Sequence, residues 1–140
     1  MTKETRDKLL RFGNDTEPFI QSNGVTFTDV GEGNAEARLT LRREHLNHWG
    51  APHGGILFAL CDEVCGMATV SLRPESCVTV NLAIDFIAAA AGEGVLTATG
   101  RVDKAGGKLC FCSAQVHDEK GTLIAAAHSV MYFTGHPLTL

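Results

Sequence analysis

Residues 54–72 read GGILFALCDEVCGMATVSL, and this stretch decides the fold. The apolar run is long for a strand and lacks the alternation of one, so it predicts a helix that begins at Gly54. No face of this helix is polar, so we expect it to be buried on all sides. The run is long enough to span a bilayer, but Asp62 and Glu63 lie at its centre, where each charge would cost about 2.5–3.5 kcal/mol or more. A core helix, with no membrane partner, is therefore the better interpretation.

The segments on both sides of this helix read as strands. Apolar and polar side chains alternate along residues 34–43, which buries one face of that segment. Short glycine-containing turns separate several of the strand-like segments, and short connections imply antiparallel pairing. The predicted strands are residues 24–30, 34–43, 76–88, 94–102, 108–117 and 122–133. One central helix with five to six antiparallel strands is an α+β domain.

Composition places the chain among globular proteins. It has 140 residues, 44% of them hydrophobic and 20% charged, and a formal net charge of −4. This length predicts a single domain over residues 1–140, with residues 1–23 as a helical N-terminal extension. The acidic balance and the lack of a basic run disfavour a nucleic-acid partner. Five cysteines without a CxxC pair, and no signal-peptide core, favour buried thiols in a reducing, cytoplasmic location.

Two features of the central helix point to chemistry. Gly54 and Gly55 begin it, so their N–H groups lack intrahelical acceptors and a ligand can come close. Such a terminus can stabilise developing negative charge, as an oxyanion hole does. Asp62 lies in an otherwise apolar helix, where a carboxylate needs a partner or a function. It is a candidate base, with a structural ion pair as the alternative, whereas Glu63 reads as a salt-bridge or interface residue.

The spacing of these groups predicts a dimer. Asp62 follows Gly54 by eight residues, which is about 12 Å along a helix axis. A base and an oxyanion donor must each lie about 3 Å from one reacting group, so a single helix cannot bring both to one substrate. Two helices packed antiparallel about a two-fold axis would form two composite sites. Residues 62 and 63 point about 100° apart, so we expect only one of them to face a given site.

Residues 45–55 read HLNHWGAPHGG, and the acid Asp62 follows nine residues after the last histidine. The pattern H-x-N-x-x-G-x-x-H-G-G with this acid resembles the hotdog-fold acyl-CoA thioesterases of the PaaI-like, phenylacetate-pathway type. The resemblance covers residues 24–133. It implies a hotdog fold, in which a curved antiparallel sheet wraps a long central helix. It also implies that subunits pair by joining sheets edge to edge, and that the pairs assemble into tetramers.

The resemblance further implies an activity and assigns roles. The expected enzyme hydrolyses a thioester to free coenzyme A and a carboxylic acid, with coenzyme A as part of the substrate and no cofactor. Asp62 matches the catalytic acid, which acts as general base on water or as nucleophile, and the Gly54 N–H matches the group that polarises the carbonyl. Asn47 matches the asparagine beside that carbonyl, and His53 the histidine that shapes the loop. Thr79 falls, with a one-residue gap, where relatives place a water-positioning serine or threonine.

Binding of coenzyme A also needs a locally basic rim for its phosphates. The candidates for substrate binding are Gly55, Arg101, Lys104 and Lys108, with Arg42 and Arg43 as a second basic pair. The sequence departs from the family at residues 88–91, where four alanines replace a proline-containing turn. This departure concerns the wall of the pocket and not the chemistry.

Several residues carry alternative interpretations. The three histidines of residues 45–53 suggest a metal site, but a glycine and a proline among them break any helix that would align them. Loop-ordering roles and no metal are therefore expected. Cys61 and Cys65 read as packing residues and not as nucleophiles. Trp49 is either a loop anchor or a lid over the pocket.

Two other functions compete with hydrolysis. One is a hotdog hydratase or dehydratase acting on an enoyl thioester, although the motif of those enzymes is not found here. The other is a non-catalytic protein that binds acyl thioesters. The acyl group, the choice between coenzyme A and a carrier protein, and the choice between dimer and tetramer stay open.

Overall fold

In the computed structural model, which describes residues 1–140, a curved sheet packs against one long helix. The helices are α1 (Lys3–Asp15), α2 (Pro18–Asn23) and α3 (Gly54–Val70), with a short 3-10 turn at Arg43–His45. The strands are β1 (Val25–Gly31), β2 (Asn34–Thr40), β3 (Glu75–Phe86), β4 (Val95–Ala105), β5 (Leu109–His117) and β6 (Leu123–Pro137). None of the three helices combines the length and the apolar character that crossing a membrane requires.

The six strands form one antiparallel sheet in the order β1-β2-β4-β5-β6-β3. The predicted α+β class, the central helix and all six strands are therefore confirmed. The strand ends differ in places. β2 ends at Thr40 and not at residue 43, because Arg43–His45 turn into a 3-10 helix, and β6 continues to Pro137. The two edge strands are β1 and β3.

The concave face of the sheet covers α3, and ten residues of this helix are buried. Within one chain, however, one stripe of α3 stays uncovered, so the expectation that α3 is buried on all sides is not met by a single chain. Gly55 is exposed, Phe58 is 39% exposed and Asp62 is half-buried. These positions follow the three- and four-residue spacing of one helical face. The reason is geometric, because the sheet of one chain curves around only part of the helix.

The sheet comes close to the backbone of α3 at Gly100 of β4. A Cβ atom at this position would lie 2.5 Å from the carbonyl oxygen of Val64 and 2.6 Å from its carbonyl carbon. These are backbone atoms of the helix, which cannot move aside as a side-chain end could. Glycine at position 100 is therefore what lets the sheet close onto the middle of α3.

The N-terminal helix α1 covers the outer edge of β1. Leu9 is 2% exposed and packs into the core. Asn14 hydrogen-bonds the backbone of Phe27 twice: its Oδ1 accepts from the Phe27 N–H at 2.8 Å, and its Nδ2 donates to the Phe27 carbonyl at 3.1 Å. These bonds satisfy edge groups that would otherwise be open to another strand. The edge of β3 has no such cover.

We predict that Gly100→Ala destabilises the protein by about 1–3 kcal/mol, the usual cost of overpacking a tight core. The change can be measured as the free energy of unfolding in urea at fixed protein concentration. Gly107→Ala is the matched control, because a Cβ at Gly107 meets no atom within 4 Å. Equal stability of the two variants would contradict the packing argument.

Candidate active site

One group of predicted site residues comes together where α3 faces β3. The Thr79 hydroxyl donates a hydrogen bond of 2.6 Å to Oδ1 of Asp62, so a residue of β3 fixes the carboxylate of α3. A β-bulge interrupts the β3–β6 pairing between Thr79 and Asn81, and bulges re-aim neighbouring side chains. Oδ2 of Asp62 forms no hydrogen bond within the chain. This oxygen is therefore available to a bound water or substrate.

Asp62 and Thr79 border a cavity of about 250 Å³. Its remaining walls are mostly apolar and come from α1, β1, α3, β6 and the C-terminal residues. The apolar side chains that line it are Phe12, Phe27, Met67, Val70, Cys77, Met131 and Leu138. An apolar cavity with a few converging polar groups is the usual form of a small-molecule site. The contributions of α1 and of the C-terminal residues were missed from the sequence, because no local pattern tells where such segments dock.

Of the two roles expected for Glu63, the salt bridge does not form within the chain, and the interface role stays a prediction. No cation lies within ion-pair distance of it, and it borders the same cavity as Asp62, so the expectation that only one of the two faces a site is wrong. The cavity extends around the helix from β3 to the start of α2 and so contacts both side chains. Burial, and then the charge and hydrogen bond of Glu17, raise the pKa of Glu63 to about 8. Glu17, which also lines the cavity, was missed because its partner lies far away in sequence.

The start of α3 presents one free amide. His53 is the N-cap: its Nδ1 accepts the Gly55 N–H at 2.8 Å, and its carbonyl accepts the N–H groups of Ile56 and Leu57. The Gly54 N–H has no acceptor in the chain. The expectation that both glycines expose their N–H groups thus holds for Gly54 and is wrong for Gly55, because the histidine cap uses the latter. His53 orders this helix start.

Asn47 lies beside Gly54. Its Oδ1 accepts the backbone N–H groups of Trp49 and Ala51 at 3.0 and 3.1 Å, which closes the loop before the helix. Its amide NH₂ has no acceptor within the chain. Asn47 and Gly54 border a second cavity of about 270 Å³, whose other walls include Leu57, Phe86 and three alanines of residues 88–91. The alanine stretch that departs from the family pattern therefore forms a pocket wall.

The Asp62–Thr79 group and the Gly54–Asn47 group do not meet within one chain. Asp62 follows Gly54 by eight helical residues, which separates them by about 12 Å along the axis. Each group borders its own cavity, and no side chain lines both. The chain thus carries a carboxylate half-site at Asp62 and an amide half-site at Gly54. The acid and the donors have the chemistry of a base and of an oxyanion hole, respectively.

The other histidines and Trp49 have local contacts. His45 is 2% exposed; its Nδ1 accepts the Arg42 N–H at 3.0 Å, and its Nε2 donates to the Asn23 carbonyl at 2.9 Å. This histidine ties the loop to the end of α2. Trp49 is 80% exposed and lies against the ring of His48, a residue of the same loop.

The predicted basic residues lie away from both half-sites. Gly100 faces the helix, so Arg101 next to it points to the opposite face of the sheet, where it pairs with Asp103 at 3.1 Å. Lys104 also lies on that convex face, and Lys108 lies in the β4–β5 turn, with its Nζ 5.8 Å from the ring centre of Tyr132. By contrast, the second basic pair includes a residue next to a half-site: Arg43 borders an open groove together with Asn47.

The cysteines of α3 are packing residues, as predicted. Cys61 and Cys65 are fully buried, and neither forms a disulfide. Burial raises the pKa of Cys61 to about 12, and a hydrogen bond to Cys112 together with burial also raises the pKa of Cys65. Both are therefore thiols at neutral pH and poor nucleophiles.

The chain is similar in sequence to known thioesterases and esterases. A family model described as the Thioesterase superfamily matches residues 50–125. A provisionally named esterase of Pseudomonas aeruginosa is 38% identical over 96 residues, which cover 67% of this chain and 71% of the relative. A provisionally named esterase of Archaeoglobus fulgidus is 28% identical over 104 residues, covering 74% of this chain and 67% of its own.

Solved structures resemble the whole chain. The E. coli PaaI protein from the phenylacetic acid degradation operon superposes with a TM-score of 0.92 at 21% identity, over 99% of this chain and 100% of its own. A hypothetical thioesterase of Streptococcus pneumoniae, solved with coenzyme A, superposes with a TM-score of 0.80 at 25% identity. The match covers 93% of this chain and 98% of that one. The predicted hotdog fold is confirmed.

The Glu63 environment makes stability depend on pH. The ordinary pKa of a glutamate, 4.5, is raised to about 8 in the folded chain, so the folded state retains a proton that the unfolded state has lost. Stability is therefore full below about pH 4.5 and falls as the pH rises toward and through 8. We predict that Glu63→Gln raises Tm at pH 9 and changes it little at pH 5.

The exposed Glu93→Gln is the matched control and should follow the wild type at both pH values. Thermal unfolding at the two pH values checks the prediction. A Glu63→Gln variant with an unchanged difference in Tm between pH 5 and pH 9 would contradict it.

Proposed function

This chain belongs to the Thioesterase superfamily, and from that premise we propose that it hydrolyses acyl-CoA to coenzyme A and a carboxylic acid. One observation carries the proposal: two complementary half-sites, each bordering a mostly apolar cavity. One supplies a carboxylate held by a hydroxyl. The other supplies a helix N-terminal amide with no acceptor of its own. A thioester needs both, one at its carbon and one at its oxygen.

In the proposed reaction, the thioester oxygen accepts hydrogen bonds from the Gly54 N–H and the Asn47 amide. Asp62 removes a proton from water, and the hydroxide oxygen adds to the carbonyl carbon. The resulting oxyanion lies at the positive end of the α3 dipole, which stabilises it. Collapse breaks the C–S bond; the carboxylic acid forms, and the coenzyme A thiolate takes up the proton that Asp62 removed from water, which restores the carboxylate. Thr79 orients Asp62 throughout by its hydrogen bond.

We further propose that each site is shared by two chains. The stripe on α3 that the sheet leaves uncovered includes Phe58 and Asp62. The uncovered edge strand β3 and the residue after it expose large apolar side chains: Val78 at 53%, Val80 at 60%, Phe86 at 58% and Ile87 at 52%. Exposed apolar side chains along an uncovered strand edge are typical of an interface. Antiparallel packing of two α3 helices would bring Asp62 of one chain to Gly54 of the other, and such pairs could assemble into tetramers.

Coenzyme A is the proposed carrier of the acyl group. The support is the Streptococcus pneumoniae relative solved with coenzyme A, which superposes over 93% of this chain. The nucleotide phosphates need a cation near the amide half-site, and Arg43 borders the groove next to Asn47 without an ion pair of its own. Arg101, Lys104 and Lys108, proposed for this role from the sequence, face away from it.

We predict that Asp62→Asn lowers acyl-CoA hydrolysis by about 10²-fold or more, the scale of losing a general base. Gly54→Pro removes the amide proton without breaking the helix, because proline is tolerated at the first position of a helix. It should cost about 10²–10³-fold, the scale of losing one oxyanion donor. Gly54→Ala adds similar bulk near Phe86 but retains the N–H, and so separates the two effects. Turnover of acyl-CoA is the measurement.

Mixing the two variants tests the composite site. A dimer with Asp62→Asn in one chain and Gly54→Pro in the other keeps one intact site. Random pairing of the two chains should therefore restore about a quarter of the wild-type activity. Co-expression with two affinity tags isolates the mixed dimers, which should have about half of the wild-type activity because one of their two sites is intact. Mixed dimers without recovered activity would show that the site lies within one chain.

We predict that Arg43→Ala raises KM for acyl-CoA several-fold, because a charge-assisted phosphate contact contributes about 1.5–3 kcal/mol at most. The matched control is Arg101→Ala, which removes an exposed arginine from the convex face. The effect should disappear with an acyl-pantetheine substrate, which lacks the nucleotide phosphates. An equal change for both substrates would assign Arg43 to the fold and not to the phosphates.

The two competing functions give different results in the same assays. A hydratase would add water to the double bond of an enoyl-CoA and leave the thioester intact. A binding protein would bind acyl-CoA without turnover by the wild type. Release of free thiol from saturated acyl-CoA by the wild type, lost in Asp62→Asn, supports hydrolysis over both.

A further inference from the structure

A thioester has two arms, an acyl group and coenzyme A, and each must leave the reacting carbon in a different direction. We propose, on the basis of the function proposed above, that the cavity at Asp62 holds the acyl arm. We further propose that Phe12 and Gly13 of α1 form its end wall. The N-terminal helix would then set the largest acyl group that the enzyme accepts.

The charges of this cavity favour the acyl arm. Its lining includes three carboxyl groups, those of Glu17, Asp62 and Glu63, and no lysine, arginine or histidine. Carboxylates repel phosphates, so the nucleotide end of coenzyme A is disfavoured there. The apolar side chains that make up the rest of the wall suit a hydrocarbon instead. The coenzyme A arm then leaves past Asn47, where Arg43 borders the adjoining groove.

The end wall is held firmly in place. A Cβ atom at Gly13 would lie 2.5 Å from Cε of Met67 and 2.5 Å from Cδ2 of Phe27, so glycine lets α1 pack directly on α3 and β1. The next residue, Asn14, forms two hydrogen bonds with the backbone of Phe27. Phe12, one residue before Gly13, is half-buried and lines the cavity. A wall fixed in this way limits size and does not act as a lid.

This wall comes from a part of the chain that precedes the residues matched by the family model. The family model matches residues 50–125, which include Asp62, Gly54 and Thr79 but not α1. The chemistry and the size limit are therefore carried by separate segments. A change in Phe12 can alter the acyl preference while the carboxylate and the amide half-sites stay as they are.

The volume of the cavity gives the size of the acyl group. An apolar cavity of about 150 Å³ accommodates benzene, which has six carbons. The cavity of about 250 Å³ is larger than that, so it has room for an acyl group of more than six carbons before the chain reaches Phe12. A longer chain would meet Phe12. The acyl groups proposed for this enzyme are thus of short to medium length.

The test compares acyl-CoAs from acetyl to hexadecanoyl, kept below their micelle concentrations, on the wild type and on Phe12→Ala, Phe12→Leu and Phe19→Ala. Phe12→Ala should raise the ratio of kcat/KM for dodecanoyl-CoA over hexanoyl-CoA by about ten-fold or more, the scale of a small change in a hydrophobic pocket. Phe12→Leu should give a smaller rise and retains most of the packing. Phe19, which is 49% exposed and does not line the cavity, is the matched control and should give the wild-type ratio.

A second measurement separates this inference from the proposed function. Calorimetry of acyl-CoA binding in the Asp62→Asn background gives the chain-length dependence of Kd without turnover. If Phe12→Ala tightens long-chain binding but the wild type hydrolyses nothing, the wall is supported and the hydrolase function fails. If folded Phe12→Ala and Phe12→Leu keep the wild-type preference in both turnover and binding, the wall is overturned.

Discussion

A helix that is apolar on every face needs more cover than one chain of this length provides, and the rest of the structure depends on this constraint. The sheet satisfies most of it by curving around α3, and Gly100 allows its backbone to reach the carbonyl of Val64. The stripe that includes Phe58 stays open, and β3 has an uncovered edge. Burying apolar surface and pairing an open strand edge are both favourable. A second copy would satisfy both needs at once, so the proposed dimer follows from the same constraint as the fold.

The direction of the helix then decides where chemistry can occur. Its N-terminus supplies an amide and the positive end of a dipole, whereas Asp62 lies two turns further along. Within one chain these groups are too far apart to act on one carbonyl. The His53 cap reduces the number of free donors at this terminus. It accepts the Gly55 N–H and leaves the Gly54 N–H as the single unpaired donor of the first turn. One donor from the helix and one from Asn47 match the two lone pairs of a thioester oxygen.

Local patterns in the sequence predicted the helix, the six strands and the glycine turns. The spacing of apolar side chains and the residue types of a turn both depend only on residues that are near one another in sequence. They could not predict the Glu17–Glu63 contact, since its two residues belong to elements whose relative placement depends on how α1 and α2 dock. Nor could they predict that Phe12 lines the cavity or that the Arg101 side chain lies on the convex face of the sheet. Hydrophobicity also could not show which positions of α3 stay uncovered within one chain, because it indicates that a face is buried but not which chain buries it.

The neighbours of Asp62 affect what the carboxylate half-site can bind. Three carboxyl groups in one mostly apolar cavity would repel one another if all were charged. Burial and Glu17 raise the pKa of Glu63 to about 8, so at neutral pH Glu63 carries a proton. That proton lowers the negative charge that a developing oxyanion must approach, and it lets Glu63 donate a hydrogen bond. The N-terminal extension, through Glu17 and Phe12, therefore influences both the charge and the length of the cavity in which the acyl group is proposed to lie.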